Sequence, residues 1–204
     1  WVSLEAADAE QSTLALWSLA EADALVAEPP AGFAGVYSMR EIRLPVTAEG
    51  TRSASGEAVS ANYFELLGIA PARGRLHSSA SDDSGPATVV LSDLGWRRLL
   101  DADPAALGRV IEIATRPYTV IGIAPPEFTG TTPLNALFWL RDHDYRRLRP
   151  DEVDHSLRLE LGGFLAEGVS AAQAAAALDA RARTFNPQRE PEQQVASARL
   201  EHRS

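Results

Sequence analysis

Apolar residues recur along this chain with two periods, and the switches between them predict its elements. Trp1-Val2-Ser3-Leu4 alternates in period two and predicts an opening strand, while the alanine- and leucine-rich stretch 14–27 predicts a helix closed by Pro29-Pro30. Residues 35–46 and 55–60 predict extended segments joined through Ala48-Glu49-Gly50. A short helix over 61–67 stops at Gly68, which can leave the helix with a positive φ.

A run of Ser, Asp, Gly and Pro over 78–86 then marks a solvated loop and a boundary. Beyond it, 87–91 predicts a buried strand, and Ser92 or Asp93 caps a helix that carries Trp96, Leu99 and Leu100 on one face. Residues 110–113 and 118–123 predict a hairpin turning at Thr115-Arg116-Pro117, ended by Pro125-Pro126. The charged stretch 141–154 reads as a connector. A strand over 156–161, a glycine pair, a helix over 170–183 with Ser170 as its N-cap, a stop at Asn186-Pro187 and a last strand over 194–200 complete the chain. The outer thirds mix strand and helix and the middle is mostly β, so the fold class is α+β, one unit split by an inserted β-rich lobe.

Composition narrows what this fold can do. With 204 residues, 45% of them hydrophobic, the chain can bury a sizeable core, and two subdomains fit that length. The net charge of −9 argues against a broad phosphate-binding surface, so no nucleic-acid partner is expected. All 19 basic residues are Arg, and without a lysine no Walker motif can exist, so any ATP hydrolysis belongs to another chain or domain. The absence of Cys excludes disulfides and thiolate metal sites. No basic start followed by an apolar stretch opens the chain, so no secretory signal is expected within these residues. The longest uncharged stretch, 128–140, is shorter than the ~18 to 20 apolar residues that cross a bilayer, and Gly130, Pro133 and Asn135 interrupt it.

Several short motifs then occur in one order. Val59-Ser60-Ala61-Asn62-Tyr63-Phe64-Glu65-Leu66-Leu67-Gly68 precedes Pro71 and Gly74-Arg75. Val89-Val90-Leu91-Ser92 with Trp96-Arg97, Asp103-Pro104 with Gly108-Arg109, and the run from Arg116-Pro117-Tyr118 to Pro125-Pro126 with Phe128 and Gly130 follow. This series resembles the MacB-like periplasmic core domain, the extracytoplasmic domain of an ABC transporter permease of the FtsX/MacB type. The resemblance spans nearly the whole chain and is strongest over 59–130; residues 163–178 resemble the family's glycine-bounded turn leading into an Ala-rich helix. Three positions depart from the pattern: His77 replaces a Phe, Thr115 a hairpin Gly, and Phe164 an Arg.

The resemblance implies a discontinuous Porter-like α/β lobe, placed at 1–75 and 142–204, and an inserted, mostly β Sabre-like lobe at 76–141. It also implies a domain on the periplasmic or extracytoplasmic side of the cell membrane, transmitting conformational change and contacting substrate or partner proteins. Its partners would be a separate or fused cytoplasmic ATPase subunit, the transmembrane helices of the parent permease and a second permease copy; the substrate stays open. The alternative is an extracytoplasmic ligand-binding or sensor module coupled to membrane helices.

Catalytic candidates are weighed and set aside. Asp142-His143-Asp144, with Asp151, Asp154 and His155, is the densest group of metal-capable side chains, but interleaved Arg141, Arg146, Arg147 and Arg149 suggest a solvated connector. Ser92 lacks the preceding glycine of a nucleophile elbow and suits an N-cap. Asp82-Asp83 and Asp101 with Asp103 sit in turns, where exposure is the default. No catalytic, cofactor-binding or metal-ligating residue is assigned, no cofactor is expected, and the chain is not expected to be an enzyme.

Overall fold

The chain is described as a computed structural model covering residues 2–8, 14–15, 17–80, 85–149, 159–189 and 194–202. It is α+β and divides into two compact units, Trp1–Met39 with Val153–Ser204, and Arg40–Glu152. These cut points differ from 75/76 and 141/142. Residues 40–75 belong with the second unit because their partners lie there: Gly56 to Val59 pair with Phe138 to Arg141, and Arg73-Gly74 with Gly122-Ile123.

In the first unit, strand β1 (Val2–Asp8) runs between antiparallel neighbours β10 (Glu160–Leu165) and β11 (Val195–His202), and β10 pairs in turn with the first half of β3 (Phe33–Thr47). A two-residue strand, β2 (Leu14–Ala15), pairs with the end of β1. Val2, Leu4 and Ala6, at period two, share a core with Ala22 and Leu25 of helix α1 (Leu19–Ala27) and with Ala174, Leu178 and Ala182 of helix α5 (Ala171–Arg183). Helix α1 starts later than the sequence predicts. Ser18 and Glu21 form a reciprocal capping box at its start, and Trp17 before it donates its indole N–H to the Leu4 carbonyl at 3.0 Å. Ser170 caps α5 in the same way with Gln173.

The sequence predicts a strand that stops before the glycine pair, yet β10 runs through it. A side chain at Gly162 would collide with the Tyr37 ring, so the pair admits Tyr37 against the strand. The outer strand β11 has its backbone groups at 195–198 taken by side chains: Asn186 bonds both groups of Val195, Asp179 accepts from Ala198 N–H, and Arg183 donates to the Ala196 carbonyl. Edge groups occupied in this way are withheld from pairing with another chain.

The second unit is a ring of strands. The rest of β3 neighbours β4 (Thr51–Val59), then come β9 (Phe138–Arg141), β6 (Thr88–Leu91) and β8 (Arg116–Ile123), and β7 (Val110–Ile113) pairs with both β8 and β3 and closes the circle. Closure removes free edges, and the short strand β5 (Arg73–Gly74) hangs on β8. The β7–β8 turn is Ala114-Thr115, with φ of 48° and 70°. A primed two-residue turn needs this left-handed backbone, here without glycine.

Helix α2 (Tyr63–Leu66) is a single turn inside the expected 61–67. Helix α3 (Asp93–Leu100) buries Trp96, Leu99 and Leu100 as its periodicity predicts. The stretch read as a charged connector is instead helix α4 (Asp142–Leu148), whose Asp142, Asp144 and Tyr145 are buried. No helix among the described residues is long and apolar enough to cross a membrane.

Candidate functional site

Polar side chains gather inside the second unit in two places. The first is Glu57 on β4, only 1% exposed. Its register partner on parallel β9 is Trp139, whose indole N–H donates to the carboxylate at 2.6 Å. Tyr63 of α2 donates from its hydroxyl at 3.1 Å, and Thr132, from the loop joining β8 to β9, at 3.2 Å. Gly130 of that loop lies so close that a Cβ there would stand 2.6 Å from a Glu57 carboxylate oxygen; with φ of 105° it is a position that only glycine fills easily. No ion-pair partner faces Glu57 among the described residues. Burial therefore dominates, outweighs the three donors, and pushes the carboxyl from 4.5 up to about 7, with Glu41 adding a like charge.

Aromatic rings surround it. Phe128 stacks on Trp139 at 5.4 Å, and Phe64 meets Trp139 edge-on at 5.5 Å and Tyr63 at 5.2 Å. His77, at the position where the family pattern has Phe, completes this group as an aromatic ring 6.3 Å from Phe64. Burial, reinforced by Arg141 and Arg75, depresses it from 6.5 to about 3, so it stays neutral; its Nε2 lies 3.3 Å from the Thr88 hydroxyl and its Nδ1 has no partner.

The second place is an arginine–aspartate cluster. Asp142 lies 3.1 Å from Arg40 and also pairs with Arg146; Arg141 bonds Asp144 at 3.1 Å; Arg40 sits over the Tyr145 ring. This corrects the solvated connector expected from the sequence. Two acids of the Asp142-His143-Asp144 group are buried and neutralised by guanidinium groups, because the helical backbone turns both inward and His143 outward. Among the described residues no three His, Asp or Glu side chains are placed together so as to hold a metal ion. Asp151, Asp154, His155 and Asp82-Asp83 lie outside the described residues. Beside the cluster, Arg75, Gly85, Pro86, Thr88, Thr119, Ile121 and Arg141 line an open depression of about 310 Å³.

Ser92 is the N-cap of α3: its Oγ accepts from Gly95 N–H at 2.9 Å on relaxed, extended backbone. Asp101 ends that helix in a left-handed conformation, and Asp103 accepts from Ala105 N–H and pairs with Arg109. Thus the residues of the described site candidates cap, pair and turn. Sequence reasoning missed Glu57 altogether. A glutamate inside a strand otherwise reading Ala54, Gly56, Ala58 and Val59 was the available signal.

The chain thus holds a strand ring that carries the buried Glu57 and, in its other unit, a helix-covered sheet. The family model of the MacB-like periplasmic core domain matches residues 4–181, and this chain belongs to that family, the extracytoplasmic domains of FtsX/MacB-type ABC transporter permeases. Its members are non-catalytic domains of transporters. Among solved structures, the periplasmic region of MacB from Actinobacillus actinomycetemcomitans is similar with a TM-score of 0.70 at 13% identity, covering 98% of this chain and 87% of that one. The extracellular domain of the noncanonic ABC-type transporter YknZ from Gram-positive bacteria gives 0.69 at 13% identity, covering 98% and 99%. A domain of a putative permease from Porphyromonas gingivalis gives 0.67 at 15%, covering 98% and 87%. At these identities the likeness is one of fold. No curated protein matches the chain in a sequence comparison.

Proposed function

We propose that this chain is a mechanical, non-catalytic part of its permease: it carries conformational change across the membrane from ATP binding and hydrolysis by a cytoplasmic ATPase, and offers surface to cargo or partner proteins. In this reading the unit of residues 1–39 and 153–204 is the Porter-like lobe and that of 40–152 the Sabre-like lobe, and two permease copies work together. The family match over 4–181 carries it. The hydrogen-bonded and ion-paired state of Ser92, Asp103, Asp142 and Asp144 supports it, since these candidates serve structure.

None of these 204 residues is a cysteine, so labels introduced here meet no competing thiol within the domain. Ala180→Cys and Glu112→Cys, both at exposed positions and one in each unit, place spin labels in the full permease with its ATPase. The distance distribution between the labels is expected to shift when ATP is added. A distribution that ignores nucleotide while cargo still moves would sink the mechanical reading.

A further inference from the structure

The loop 124–137 between β8 and β9 is anchored by backbone hydrogen bonds at its ends: Ala124 N–H to Leu91 carbonyl at 2.8 Å, and Leu137 N–H to Ser55 carbonyl at 2.8 Å. Its middle is held differently. Phe128 stacks on Trp139, Gly130 lies over the Glu57 carboxyl, Thr132 donates to that carboxyl, and Thr131 lies 3.3 Å from the Tyr63 hydroxyl, which itself donates to Glu57. Every polar tie named here on 130–132 leads, directly or through Tyr63, to this one carboxyl.

From these contacts we infer that Glu57 is a proton-operated latch: protonated, it holds the middle of the 124–137 loop down, and ionised, it releases that segment to water. The groups facing Glu57 come from four elements. They are Trp139 from β9, Tyr63 from α2, Thr132 from the loop, and Glu41 from β3. The only charge among them is another carboxylate. Helix α4 also packs on β4, but its Asp142, Asp144 and Arg146 are engaged in the arginine–aspartate cluster.

An ionised carboxylate without a cation is disfavoured in low dielectric and is relieved by hydration, which the closed loop prevents. Protonated, the carboxyl still accepts from Trp139 and can donate its own proton to the Tyr63 or Thr132 oxygen, so the closed arrangement loses no partner. A carboxyl at about 7 when closed and at 4.5 when hydrated makes loop opening up to about 300-fold more frequent above neutrality than in acid. The latch does not depend on the transport reading and is tested on this chain alone.

Hydrogen exchange measures it, with rates corrected for the intrinsic pH dependence of exchange. The amides of Phe128 and Ala136 should lose protection by about 70-fold between about pH 5 and pH 8, while Val89 and Val90 in β6 keep theirs. Glu57→Gln should make loop protection independent of pH. Two milder variants keep the test alive if that one does not fold: Thr132→Val, removing a donor, should move the midpoint up, and Glu41→Gln, removing a like charge, should move it down. Loop protection that is flat with pH, an unchanged pH dependence in Glu57→Gln, midpoints indifferent to both milder variants, or β6 losing protection in parallel would each overturn the latch.

Discussion

Each unit of this protein buries a glutamate, and the two are treated differently. In the first unit Glu21 is 5% exposed and bonded by Arg189, while also closing the capping box of α1. In the second, Glu57 is as deeply buried and meets only neutral donors. The difference teaches that burial alone does not decide what a carboxyl does. A buried carboxylate with a guanidinium partner is a fixed part of the frame; one held by an indole and two hydroxyls remains free to exchange a proton. The rest of each unit follows suit: the core under the helix-covered sheet is a cluster of aliphatic, small and aromatic residues, whereas the second unit also buries His77, Arg40, Arg141, Asp142 and Asp144.

The largest effect that would break this contrast is at Arg141. Arg141→Met leaves the buried Asp144 carboxylate without its guanidinium and should lower stability by about 3 to 5 kcal/mol, read from urea unfolding. A loss under about 1 kcal/mol would show that the cluster is not a closed ionic unit.

In the first unit the corresponding change is apolar. Leu178→Ala removes a fully buried side chain from between helix and sheet, and about 2 to 4 kcal/mol should go, by the same amount at acid and neutral pH. Dependence of that loss on pH would erase the distinction between the two units.

The pH behaviour of the second unit comes next. Glu57 rises from 4.5 to about 7 on folding, so its contribution to stability is full below 4.5 and is lost as pH climbs to about 7. His77 falls from 6.5 to about 3, so its contribution is full above 6.5 and is lost as pH drops to about 3. Between 4.5 and 6.5 the two slopes oppose each other, and the wild-type stability of this unit should be nearly flat there. His77→Phe unmasks Glu57, so stability should fall with rising pH across that window, and it should gain about 1 to 3 kcal/mol in acid by removing the unpartnered Nδ1. Glu57→Gln should tilt the same window the other way. Urea midpoints at three or four pH values decide it; parallel profiles for both variants would refute the opposition.

The smallest effect is at the β7–β8 turn. Thr115 holds φ of 70°, where a β-branched residue is strained, so Thr115→Gly should raise stability by roughly 0.5 to 1 kcal/mol, net of glycine's greater freedom in the unfolded chain. A thermal melt that moves down instead would show that the turn is relaxed.

What could be read without coordinates was local and periodic. The hairpin of β3 and β4, the α3 and α5 helices with Ser92 and Ser170 as caps, the β7–β8 hairpin and the family resemblance all rest on residues within a few positions of each other. The α1 start was equally local, in Ser18 and Glu21, but the apolar run before it masked the capping box. Helix α4 was obscured because a stretch rich in Asp and Arg has the composition of a solvated connector, and only partners at Arg40, at Arg141 and within the helix itself let its acids go inside.

Sequence by itself determined the periods, caps and turns, and with them the α+β class and the family, because these depend on neighbours along the chain. Tertiary structure alone decided that the second unit closes into a ring and that Glu57 is buried on it beneath Tyr63 and the 124–137 loop. Strand order and burial are set by contacts between residues far apart in sequence: Glu57 meets Trp139 and Thr132 only after β4 and β9 pair, and whether a cation accompanies a carboxyl inward is a property of that assembled neighbourhood.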